Sequence, residues 1–321
     1  MKIGVFTALF RDRSFEDMLK YLKGLGVGAL ELASGGTTGK YHINPEELLK
    51  TPEKIDEIKN LIDKYGFTVS AVSCHGNPIH PNKEIAKQYH DDFINAILFA
   101  ERIGVDTIVG FSGCPGDCEG SQYPNWVTCP WPGDFGKVLE YQWPIMIDYW
   151  KKTAEFAKQH GIKKIAFEMH PGFCVYNPKT LIRLREAVGD IIGANFDPSH
   201  LFWQGIDPVE AIKELKGMIY HFHAKDVYLD EATIKKNGVL DYDSMKELSQ
   251  RSWYFRSLGY GHDNKTWKDI ISALRLIGYD GAISIEHEDA MMSTEEGLEK
   301  AIDVLKEVVT FQPLNTDVFW A

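Results

Sequence analysis

The chain has 321 residues, 44% of them hydrophobic, which is enough to bury a substantial core in one or two domains. With 35 Lys and Arg against 46 Asp and Glu, the formal charge is −11 with no basic block, which argues against nucleic-acid binding as the main task. No apolar run approaches the ~20 residues of a membrane helix, and the short apolar start lacks a signal-peptide pattern, so a cytoplasmic protein without a membrane partner is expected.

In chain order, residues 2–7 read as a strand followed by an amphipathic helix from Ser14, an N-cap with Asp17 three residues on. Gly28-Ala29-Leu30-Glu31-Leu32-Ala33 is a second strand, and Ile55, Ile58, Leu61 and Ile62 mark a helix over 52–65. A third strand at 67–74 places Ser73 and His75 on one face, ahead of a helix over 83–103. A fourth at 106–112 opens the longest loop, and a helix over 141–160 follows.

The next strands share one design. Ile165-Ala166-Phe167-Glu168-Met169-His170, Gly193-Ala194-Asn195-Phe196-Asp197, Ile219-Tyr220-His221-Phe222-His223 and Ala282-Ile283-Ser284-Ile285-Glu286 are apolar runs that end on a carboxylate or an imidazole. Strand side chains alternate, so Glu168 shares a face with Ala166, Asp197 with Asn195, His223 with His221 and Glu286 with Ser284. Phe167, Phe196, Phe222 and Ile285 then point toward covering helices. Helices after Pro178, near Asp207-Pro208, over 266–277 and over 294–309 complete eight strand-then-helix units. Eight units with polar strand ends predict an α/β fold, a (β/α)8 TIM barrel spanning 1–321 as a single domain, with a lid-like loop at 113–140 and a long irregular loop at 227–264. A doubly wound sheet loses its main support, because no glycine-rich dinucleotide fingerprint follows the first strand.

Glu168, Asp197, His223 and Glu286 form a mixed oxygen and nitrogen set without thiolate, which suits Mn²⁺ first, with Mg²⁺ or Co²⁺ as alternatives. Bound through a carbonyl and a neighbouring hydroxyl, such an ion acidifies the adjacent C–H, and Glu168 and Glu286 can exchange protons across the barrel mouth.

These motifs, with Asp197-Pro198-Ser199-His200 and His221-Phe222-His223-Ala224-Lys225-Asp226, resemble those of the xylose-isomerase-like sugar isomerase and epimerase superfamily over the whole chain. The resemblance implies one divalent metal held by the four residues, the two glutamates as the proton-transfer pair, and His200 beside the metal bonding a carbohydrate substrate. One position departs from the ketose 3-epimerases, which carry arginine six residues after the ligand histidine where this chain has Leu229. The Lys225-Asp226 ending is instead similar to inosose dehydratases, and the catalytic subunits of C-glycoside-cleaving lyases, which act on 3-oxo sugars, also resemble the superfamily. A metal-dependent isomerase or epimerase working through an enediolate is therefore expected, with a dehydratase or other lyase as the alternative. A homo-oligomer is allowed.

His75, Trp126, Lys225, Arg256 and His262 are candidate substrate-binding residues. Trp126, Trp131 and Tyr123 sit in the lid-like loop, where aromatics can stack on a sugar face or pack the loop down. Arg251 and Arg256 compete with a reading as solvated surface. Cys114-Pro115-Gly116-Asp117-Cys118 and Cys129 lack the second paired motif of a zinc site, and reduced thiols are expected of all five cysteines. An endonuclease of the endonuclease IV type would need more early-strand ligands and a basic surface. A non-catalytic sugar-binding barrel would keep the metal set without depending on Glu168.

Overall fold

Seven of the expected strands pair in sequence order, and an eighth closes the ring. The computed structural model describes residues 1–313 and Trp320. Strands β1 (Lys2–Phe6), β2 (Ala29–Gly36), β3 (Thr68–His75), β4 (Thr107–Gly110), β5 (Lys164–Glu168), β6 (Ile192–Phe196) and β7 (Ile219–Ala224) run parallel around a closed barrel. Two further strands, β8 (Asp226–Leu229) and β9 (Trp253–Arg256), form a separate antiparallel pair, and β10 (Ala282–Ile285) closes the barrel between β7 and β1. The fold is a (β/α)8 TIM barrel.

Side-chain alternation sorts the strands into two layers. Phe167, Phe196, Phe222 and Ile285 are buried in the large core between sheet and helices, while Ala71, Val109 and Ala166 form a separate small cluster. Each buried phenylalanine contributes on the order of 2–3 kcal/mol of apolar burial, so the outer layer dominates stability and the inner layer is free to carry polar groups. In the outer layer Trp150 packs on Phe167 at 4.5 Å and donates its indole N–H to the Ser112 carbonyl at 2.7 Å.

Local signals set most helix ends. Helices Pro52–Tyr65 and Lys83–Ile103 fall where the apolar spacing places them, and the Ser14 side chain accepts from the Asp17 N–H as a cap. Asp207 caps Pro208–Glu214 through the N–H groups of Val209 and Glu210. Among the described residues, no helix is long and apolar enough to cross a membrane.

Two segments differ from the sequence expectation. The helix expected over 141–160 spans Gly133–Gln159, so 133–140 leaves the lid-like loop. Gly133, Gly136 and the internal Pro144 weaken the local helix signal, but burial of Trp143, Met146 and Trp150 carries the helix through them. The segment 227–264 is only partly irregular. It holds the β8–β9 hairpin, with Val227 opposite Phe255 and Leu229 opposite Trp253, and a helix at Glu231–Asn237. Val227, Trp203 and Trp253 form the hairpin's own buried cluster. Arg251 is buried beneath it rather than solvated, donating to the carbonyls of Trp253 and Asp243 beside Asp241.

Candidate metal centre

Four strand ends meet at one point. Glu168 ends β5, Asp197 follows β6, His223 lies in β7 and Glu286 follows β10, and one ligand atom from each lies within 4.8 Å of the others. Glu168 Oε1 accepts from His200 Nε2 at 2.8 Å, and its Oε2 accepts from Asn195 Nδ2 at 3.4 Å. Asp197 Oδ1 accepts from the Ser199 N–H at 2.8 Å, which turns Oδ2 toward the centre. His223 Nε2 sits against Glu31, and its Nδ1 lies 3.1 Å from Glu286 Oε2 and 3.4 Å from Glu168 Oε2.

Lys225 completes the cluster from inside. Its ammonium is 2.6 Å from Glu286 Oε2 and 3.1 Å from both Asp197 Oδ2 and Glu288 Oε2, with the Phe255 ring 4.7 Å away. Burial opposes its charge, but Asp197 and Glu286 outweigh that and hold its pKa well above the ordinary value. Glu168 is likewise opposed by burial, yet hydrogen bonding, led by His200, holds its carboxyl well below the usual range. Asp197 is the exception, because burial outweighs Lys225 and pushes it up to about 7. Burial also pushes the His200 ring down to about 3, so this imidazole is neutral and donates through Nε2–H.

A divalent cation fits these residues. Asp197 Oδ2 and His223 Nδ1 are buried, make only ion-pair approaches, the nearest to Lys225 and Glu286 at 3.1 Å each, and both belong to the four-residue group. Glu168, Asp197 and Glu286 carry more negative charge than Lys225 offsets, and the side chains alone leave Asp197 raised, so a cation placed among them lowers the cost of burying these acids. The donor set, three oxygens and one nitrogen without thiolate, is one that a divalent cation accepts. His223→Ala should lower metal occupancy measured by elemental analysis after dialysis, and full retention would remove His223 from the site.

The candidate substrate-binding residues divide. His75 is brought to the centre, its Nε2 3.3 Å from Glu168 Oε2 and its ring against Phe6 and Phe111. Lys225 is also at the centre. Arg256 is not: its Nε donates to Asp289 at 3.0 Å, a pairing that the sequence could not show. His262 stacks on Phe202 at 3.7 Å and bonds Asp226 Oδ1 at 2.8 Å, which makes it part of the hairpin's anchor. Asp226 Oδ2 also accepts from the N–H groups of Gly259, Gly261 and His262. Only glycine fits at 261, since a Cβ there would lie 2.2 Å from the Val227 carbonyl oxygen.

Trp126 packs edge-on against Tyr176 at 5.4 Å and lines a cavity of about 200 Å³ with Trp143 and Cys174, while Trp131 is 78% exposed. The Trp126 contacts are those of loop packing, whereas Trp131 stands in solvent. The described cysteines are all free, and none joins a candidate ligand group among the described residues.

Sequence reasoning missed Glu31 and Phe255, and named His170 only as part of its strand end, without a role. Glu31 is fully buried beside His221 and His223, and the signal was present as one acid inside the apolar run Ala29–Ala33. His170 lies 4.2 Å from the His200 ring, and Phe255 meets that ring edge-on at 5.3 Å. Phe255 had no signal, because it arrives on the unforeseen hairpin.

A closed parallel barrel with a buried carboxylate and imidazole set at the C-terminal ends of its strands is a TIM-barrel protein with its site on the customary face. The chain belongs to the Xylose isomerase-like TIM barrel family, whose model matches residues 19–308. It is 37% identical over 313 residues to the uncharacterized protein YfiH of Bacillus subtilis (strain 168), covering 97% of this chain and 100% of that protein. An inosose dehydratase of Clostridium beijerinckii is 24% identical over 272 residues, 82% of this chain and 84% of its own. The crystal structure of a D-tagatose 3-epimerase-like protein superposes with a TM-score of 0.62 at 21% identity, covering 96% of this chain and 98% of that one, a likeness of fold.

Proposed function

We propose that this protein is a divalent-metal-dependent enzyme that isomerises or epimerises a sugar by moving a proton at the carbon next to a carbonyl, with Mn²⁺ as the preferred ion. The observation that carries this reading is the convergence of two carboxylates, Glu168 and Glu286, from strands set apart around the barrel onto the same point as Asp197 and His223. When bound, the ion would supply Lewis-acid polarisation of the carbonyl and stabilise negative charge on its oxygen.

The side chains supply the rest. Glu168, ionised and held by His200 and Asn195, is the base that removes the proton. Protonation of the opposite face requires Glu286, on the other side of the cluster, to enter the step carrying a proton of its own, so the cycle ends with the proton on Glu168 and the two carboxyls exchange states between turnovers. His170, partly exposed beside buried His200, and Glu288 lie where the cluster opens outward.

A second reading, elimination of a β-hydroxyl, is favoured by Lys225. An ammonium 2.6 Å from Glu286 is a donor for a departing oxygen, and Leu229 packs into the hairpin's apolar cluster where ketose 3-epimerases carry arginine. Turnover of a panel of ketoses, inososes and 3-oxo glycosides in D₂O with Mn²⁺ separates the two. Solvent deuterium next to the carbonyl of an isomeric sugar supports the first, loss of water or an aglycone supports the second, and no metal-dependent turnover on any class overturns both.

A further inference from the structure

Glu31 is a fully buried carboxylate in the middle of the barrel, and no step above uses it. Its partners come from three other strands. Oε1 accepts from Ser73 Oγ at 2.5 Å, Oε2 accepts from Ser284 Oγ at 2.7 Å, and His223 Nε2 lies between the two oxygens at 3.0 and 2.9 Å. Beside it, His221 Nδ1 is 3.9 Å from Oε2 and bonds Asn195 Oδ1 at 3.0 Å, so His221 is satisfied elsewhere.

An ionised carboxylate only accepts, so the atom of His223 that faces Glu31 must carry a ring hydrogen. Nδ1 faces the carboxylates Glu168 and Glu286 in turn, so a cation arriving between them takes the place of its hydrogen and leaves a neutral ring with the lone pair on Nδ1. Nδ1 is buried and aimed between Glu168 Oε2 at 3.4 Å and Glu286 Oε2 at 3.1 Å, the place a cation would take. The two serines fix Glu31 from β3 and β10 on opposite sides, so the carboxylate cannot turn away from the ring. A carboxylate set behind a ligating histidine in this way fixes the tautomer and raises the basicity of the ligand.

We propose that Glu31 is a positioning residue for the candidate metal centre: it holds His223 as the Nε2–H tautomer and presents Nδ1 to the ion, with Ser73 and Ser284 as its clamps. The inference rests on the metal-centre reading above. It also assigns a task to the polar groups of β2, β3 and β10 that lie behind the ligands.

The test uses the full-length chain with Mn²⁺, and Zn²⁺ as a diamagnetic substitute. Free Mn²⁺ measured by electron paramagnetic resonance should show Glu31→Gln and Glu31→Ala binding roughly 10–100-fold more weakly than wild type, and Ser284→Ala only a few-fold more weakly. Because removing a negative charge alone weakens cation binding, the deciding readout is the ¹⁵N spectrum of the wild-type imidazoles with Zn²⁺ bound. His223 should show a protonated Nε2 and a metallated Nδ1, and this measurement does not require any variant to fold. Metallation at Nε2, or Glu31 variants with wild-type affinity, overturns the proposal while leaving the metal site standing. A wild-type chain that binds neither ion overturns the metal reading itself.

Discussion

Glu168→Gln should reduce turnover by roughly 10²–10⁴-fold, the span expected when a positioned base is removed, while Mn²⁺ remains bound. The substitution keeps shape and one oxygen. The His200 Nε2–H, now 2.8 Å from Glu168 Oε1, can still donate to the amide carbonyl, so the local network survives. What disappears is the lone pair of an ionised carboxylate that hydrogen bonding had kept well below its ordinary pKa. Glu286→Gln should also impair turnover, and either variant should slow deuterium exchange from D₂O into substrate. The measurement is kcat with Mn²⁺ saturating, alongside metal content after dialysis. If both variants turn over within about threefold of wild type, proton transfer by the pair is wrong and the two residues are ligands only.

Lys225→Met should lower the stability of the metal-free protein by about 3–5 kcal/mol, because one partner of a buried charge cluster is removed and the others remain. The carboxylates left behind are Asp197, Glu286 and Glu288, of which only Glu288 has substantial exposure, at 49%. The sign with pH follows from the raised pKa of Lys225. Its own contribution is fully present below the unfolded-state value and is lost only as pH rises through the higher folded-state value. Asp197, already up at about 7, loses the charge that lowers it, so the deficit should grow as pH rises from neutral to mildly alkaline. Mn²⁺ should bind this variant more tightly than wild type, since a neighbouring positive charge is gone. That direction is opposite to the one expected for Glu31→Gln. Urea titrations in chelator and Mn²⁺ binding at pH 7 check both parts, and a variant of unchanged stability with weaker metal binding would show that Lys225 is not the counter-charge of the cluster.

The four candidate ligands were legible because each ends an apolar strand. Glu168 after Ala166 and Asp197 after Asn195 follow from alternation alone, and the buried outer row of Phe167, Phe196 and Phe222 is its other half. The partners of Arg256 and His262 were not legible, for the converse reason. Both lie in a polar segment whose apolar residues, Val227, Leu229, Trp253 and Phe255, pair only across a long connection. Their partners Asp289 and Asp226 are 33 and 36 residues away, beyond any local pattern.

By itself the sequence determined the repeating strand and helix units, the caps at Ser14 and Asp207, and the faces on which Glu168, Asp197, His223 and Glu286 stand, because strand parity and helix capping are set by covalent geometry within a few residues. Only the tertiary structure decided which polar groups meet. Barrel closure brings Glu31 to His223 across 192 residues and Ser284 to Glu31 across 253. It also buries Lys225 among acids on neighbouring strands, where the low dielectric makes each charge depend on the others.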